Sequence, residues 1–148
     1  MDRILFIGIS LISIAIVLIF GDALYIGLWY YIVIPVVAFT LTFPFKTKEL
    51  FLTGTSIAIQ LTIIPYLYIN ITAERPGGLL GLGHLFSLPG LAVGIIVGSI
   101  YVKNKYKKPY IMLSIGFVAS LSGFLINQII ICNTLMYCGN LMTLQLLK

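Results

Sequence analysis

Apolar runs and charged residues exclude one another along this chain. Five stretches, 4–20, 24–43, 50–71, 85–102 and 110–131, contain none of its nine Lys and Arg or four Asp and Glu residues. A bilayer core about 30 Å thick takes roughly 20 helical residues to cross, and each stretch is near that length. No ten-residue alternation of a barrel strand is present, and an open strand edge does not survive in hydrocarbon. The pattern predicts an all-α fold: one polytopic integral membrane helical bundle over residues 1–148, with about five transmembrane helices.

Only Gly21-Asp22-Ala23 separates the first two stretches. Read as one helix they would reach about 60 Å at 1.5 Å per residue, twice the core thickness, so a tight hairpin turning at Gly21-Asp22 is expected. Arg3 and the small residues before a cleavage-like site also fit a signal peptide, but the apolar run exceeds an ordinary signal-peptide core, and it is read as a span. Five spans place Arg3, Lys46, Lys48, Lys103, Lys105, Lys107 and Lys108 on one side and only Arg75 and Lys148 on the other. The positive-inside rule then sets the N-terminus in the cytoplasm and the C-terminus outside.

Composition removes whole classes of function. Of 148 residues, 60% are hydrophobic and 9% charged, against about a quarter charged in soluble domains, and the mean hydropathy is +1.12. Too few charges remain to cover a water-facing surface. A soluble enzyme, a disordered tail and a nucleic-acid-binding domain are excluded. The net charge of +5 is orientation and attraction to anionic headgroups, with the bilayer as first partner.

Within the spans, small and polar residues stand out. Gly90, Gly94 and Gly98 recur every four residues on one face of the fourth span, and Gly116, Ala119, Ser120 and Gly123 form a small-residue face on the fifth. Such glycine stripes let helix backbones approach closely. They predict an antiparallel pair of spans four and five, with a partner protein or a second copy as the alternative. Gln60, Asn127 and Gln128 are intramembrane amides expected to hydrogen-bond neighbouring helices. Pro35 and Pro65 are expected to bend their spans. Trp29 with Tyr25, Tyr30 and Tyr31, and Tyr66 with Tyr68, read as an aromatic belt. Cys132 and Cys138, beyond the last span, are spaced for a short disulfide loop or for two free thiols.

The segment from Glu74 to Gly90 is the least ordinary. It holds Glu74, Arg75 and the only histidine, His84, among five glycines, and predicts a broken or partly re-entrant outer segment. These three residues form a candidate outer-side site, although a lone histidine more often bonds a backbone carbonyl. Ser87 one turn from His84 suggests a nucleophile pair, but no third member or oxyanion site accompanies it. No catalytic residue, metal ligand set or cofactor is expected. No ionisable residue lies within a span, which argues against a proton-coupled pump.

In size, hairpin topology and lack of catalytic groups the chain is similar to membrane immunity proteins that block pore-forming or membrane-acting toxins. The resemblance is one of architecture and carries over no family residues. It implies a small bacterial inner-membrane protein, not an enzyme, that binds another membrane-inserted protein through helix faces. The competing expectation is a protomer of a small oligomeric channel or transporter, or an accessory subunit of a membrane complex.

Overall fold

The computed structural model describes residues 2–22, 24, 26–45, 47, 49–72, 78–103 and 108–135, with 78–80 described by backbone only. They form α1 (Asp2–Phe20), α2 (Leu28–Thr42, prolonged by a 3-10 turn Phe43–Phe45), α3 (Phe51–Thr72), α4 (Gly78–Lys103) and α5 (Pro109–Thr134), with no strand among the described residues. All five are long and apolar enough to cross a membrane, and the chain is read as an integral membrane protein. Length and charge exclusion set the helix bounds, because a backbone in lipid must satisfy its own hydrogen bonds.

Side-chain contacts fix the relative directions. Asp2 meets Thr53, Ser10 meets Ser56, and Gln60 meets Ser13, so α1 and α3 run parallel. Ser120 meets Thr55, and Gly116 abuts Phe51, so α5 runs parallel to α3. Gly90 opposes Gly123 and Gly98 opposes Ala119, which makes α4 antiparallel to α5. The starts of α1, α3 and α5 share one end of the bundle, the near end; the starts of α2 and α4 share the far end.

α5 lies between α3 and α4, α1 packs chiefly along α3, and α2 touches α1, α3 and α4 more lightly. α3 is the most enclosed helix and α1 the least, and mean hydropathy runs the other way, 1.4 for α3 and 2.7 for α1. The helix most surrounded by protein can carry polar groups because its neighbours satisfy them. The helix most surrounded by lipid cannot. The main core joins Tyr30, Tyr31, Ile59, Ile63, Leu67 and Phe124, and a smaller one at the near end joins Phe51, Val102 and Met112.

Two expectations need correction. The turn between α1 and α2 is not a tight one at Gly21-Asp22: α2 starts at Leu28, and the connection spans 21–27 between glycines at φ 85° and 96°. The outer segment is not broken from Gly78 onward, since α4 is continuous from Gly78 to Lys103 and runs through Pro89. Gly81 serves close approach, since a Cβ on it would stand 2.6 Å from the Leu24 carbonyl oxygen, whereas Gly83 meets nothing within 4 Å. The Phe86 carbonyl, in the turn before Pro89, accepts from the Asn127 amide at 2.8 Å, a contact that ties this turn of α4 to α5.

Candidate functional site

Four helices bring polar and aromatic side chains together toward the far end. His84, in the second turn of α4, is fully buried. The Tyr30 hydroxyl of α2 lies 2.5 Å from its Nδ1. The Tyr66 ring of α3 and the Phe124 ring of α5 stand 5.0 and 4.9 Å from the imidazole, centroid to centroid. Whichever of the phenol and Nδ1 is the donor, the other ring nitrogen, Nε2, has no hydrogen-bond partner among the described residues. One turn beyond Phe124, Gln128 is buried with its Oε1 also unpartnered among the described residues. The rings of Tyr30, Tyr66 and Phe124 pack around the imidazole.

A second pair adjoins the first. The Tyr31 hydroxyl donates to Asp22 Oδ1 at 2.8 Å, and the Gly27 amide donates to Asp22 Oδ2 at 2.5 Å. Asp22 therefore ties the 21–27 connection to α2, and the Tyr30 and Tyr31 rings meet edge to face at 5.5 Å. Tyr30, Tyr31 and Tyr66 are interior residues, and this corrects the belt reading. Trp29 and Tyr68 are 56% and 67% exposed, as a belt requires, and Tyr25 lies outside the described residues.

The arrangement does not assemble a nucleophile. The Ser87 hydroxyl donates to the Gly83 carbonyl at 2.8 Å, its own preceding turn, and not to His84. His84 is a core residue bonded to a phenol, neither at an outer surface nor on a backbone carbonyl. Glu74 and Arg75 lie outside the described residues. Among the described residues no group of three His, Cys, Asp or Glu is placed to hold a metal.

The intramembrane amides face other helices. Gln60 donates to Ser13 Oγ at 3.3 Å within a seam that includes Ser10 and Ser56, and this seam seats α1 on α3. The glycine face of α4 packs within the chain: a Cβ on Gly94 would collide with the Ala119 carbonyl, and one on Gly90 with Gly123 and Asn127. Gly116 faces α3 instead, against the Phe51 carbonyl, and Ser120 bonds Thr55 at 3.4 Å. Gly54 answers from α3, against Leu113. Sequence reasoning misses Gly54, Asp22 and Asp2. Gly54 stands alone in its helix without a four-residue partner, and the two aspartates act on residues distant in sequence or across a loop. Cys132 is buried and disulfide-bonded; Cys138 lies outside the described residues.

No family model matches the chain, and no curated protein or solved structure is significantly similar to it.

Proposed function

We propose that the chain is a membrane-integral binding protein that recognises another membrane-inserted protein through its outward helix faces, in the manner of an immunity protein of a bacterial inner membrane, without a catalytic centre. The observation that supports this is the distribution of polar atoms. Ser10, Ser13, Ser56, Gln60, Ser120 and His84 are all buried against neighbouring helices. The outward faces are mainly apolar, with the exposed hydroxyls of Thr40, Ser114 and Ser122 bonded to carbonyls of their own helices. Along the near half of α4 and α5 this outward surface is concave, a groove of about 520 Å³ lined by Val97, Gly98, Tyr101, Ser114, Val118 and Ala119 among others. A partner helix laid there gains dispersion contact without desolvating a charge.

The test is a photo-crosslinking amino acid at Val118, compared with one at Leu18 on the lipid-facing side of α1. Cells are challenged in parallel with a panel of pore-forming and membrane-acting bacterial toxins. A discrete adduct with one of these toxins from Val118 and not from Leu18 is expected, together with no ion flux in reconstituted vesicles. Flux through the purified protein would overturn the reading in favour of an oligomeric channel.

A further inference from the structure

At the near end, the start of α1, the end of α2 and the entry to α3 enclose a cleft of about 730 Å³, lined by Asp2, Arg3, Phe39, Thr42, Glu49 and Leu52 among others. Its charged groups are not equivalent. Asp2 is committed to α3: its carboxylate accepts from the Thr53 amide at 2.9 Å, the Leu52 amide at 3.3 Å and the Thr53 hydroxyl at 2.5 Å. The Thr42 hydroxyl is committed as well, donating to the Phe39 carbonyl at 2.8 Å. Arg3 and Glu49 are not. Both are exposed, and neither forms an ion pair with a described residue. The Arg3 guanidinium lies over the Phe39 ring, 5.8 Å from its centroid, which holds its planar fork beside the cleft. Leu50, at φ 67°, turns the chain into α3 directly after Glu49.

We infer that this cleft binds a phospholipid headgroup carrying both a phosphate and a primary amine, of the phosphoethanolamine type, with the phosphate on Arg3 and the ammonium on Glu49. Three observations converge. The cleft stands where three membrane-length helices begin or end, which is headgroup level for a bundle that crosses a bilayer. Ile4 and Phe43, 75% and 67% exposed, border it and offer apolar surface to the attached acyl chains. An arginine fork matches phosphate oxygens, and an uncommitted carboxylate lining the same cleft rewards a compact cation and disfavours a headgroup that is only anionic. Attraction by the chain's net charge of +5 alone would choose phosphatidylglycerol.

The experiment uses the full chain, delipidated in detergent, and counts lipid adducts by native mass spectrometry in equimolar mixtures of phosphatidylethanolamine, phosphatidylglycerol and phosphatidylcholine. Phosphatidylethanolamine is expected to exceed each of the others by roughly fivefold, the factor that one well-placed exposed charge pair supplies. Glu49→Gln should erase that preference, and Arg3→Gln should remove the adduct while Arg3→Lys restores part of it, all at an unchanged thermal midpoint. Soluble phosphoethanolamine should compete only in large excess. Equal binding of phosphatidylcholine, preference for phosphatidylglycerol, or indifference to either substitution would each overturn the assignment. Displacement by equimolar soluble ester would overturn the lipid as the ligand's source.

Discussion

The hydroxyl of Tyr30 and the Nδ1 of His84, 54 positions apart in the chain, meet at 2.5 Å in the interior of the bundle. The bond joins the first turn of α2 to the second turn of α4. α2 is the helix that needs it: it touches each of its neighbours lightly, and Pro35 deprives its ladder of one donor.

Tyr30→Phe should therefore destabilise the protein by about 1–2 kcal/mol, since it leaves His84 with neither nitrogen bonded in a medium without water. Replacing both residues with Phe should cost less than the sum of the single changes, because the unpaired group disappears along with its partner. Unfolding the four proteins in a mixed detergent series measures the coupling. Strict additivity would show that the pair contributes nothing beyond packing.

Gly94→Leu and Gly54→Leu should each disrupt the bundle, whereas Gly8→Leu should leave it intact. A Cβ at position 94 or 54 collides with a backbone carbonyl of α5, and at position 8 it meets nothing within 4 Å. Backbone cannot move aside as a side-chain terminus can. Helices α4 and α3 would be forced off α5 and would forfeit the dispersion energy of their close packing. Detergent-resistant folded fraction reads the difference. Equal tolerance of all three would mean that the faces meet lipid.

Asp2→Ala should cost about 1 kcal/mol, the usual range for loss of a helix N-terminal cap. The cap is supplied from another helix, so its removal also frees the start of α1. Amide exchange at Leu52 and Thr53 should accelerate in the variant, and Asp2→Asn should be intermediate because an amide oxygen still accepts. Unchanged exchange at both amides would remove the cap from the account.

The spans are legible in the sequence because charge exclusion in lipid is a nearly absolute rule, and it sets the ends of α1, α3 and α5 to within three residues. The start of α4 is misjudged for a soluble-protein reason. Glycines and Pro89 suggest a break in water, where freed carbonyls are solvated, but in lipid the helix is the only satisfied state. Tyr30 and Tyr31 are misplaced because α2 is apolar on every side, so its sequence carries no record of which face turns inward. The α4–α5 pair is visible from the stripe of Gly90, Gly94 and Gly98. The three-helix role of α5 is not, since Gly116 and Ser120 look like part of the same stripe and yet face α3.

A topology reporter fused after Lys108 should report cytoplasm, and one after Lys148 the opposite side. The expectation rests on seven Lys and Arg on one side of a five-span arrangement against two on the other. Moving the balance, by changing Lys103, Lys105, Lys107 and Lys108 to Gln together, should produce mixed reporter signals. The same side reported at both ends of α5 would refute the five-span arrangement.

Binding activity should survive Glu74→Gln combined with Arg75→Gln and be lost with Val118→Trp. Recognition through apolar grooves needs shape and dispersion, not a charge in the connection before α4. His84, the third residue of the outer site expected from sequence, does not belong in this test. It is buried against Tyr30, Tyr66 and Phe124, so His84→Ala would report on folding before it reported on binding. Val118 lines the α4–α5 groove and is 58% exposed, so a bulky ring there is expected to occlude the groove. The readout is the Val118 photo-crosslink or toxin protection that the proposed function predicts, at matched membrane expression, with Leu18→Trp on α1 as the lipid-facing control. Loss of protection in the Glu74 and Arg75 variant, with Val118→Trp fully active, would transfer the function from the helix faces to the segment joining α3 and α4.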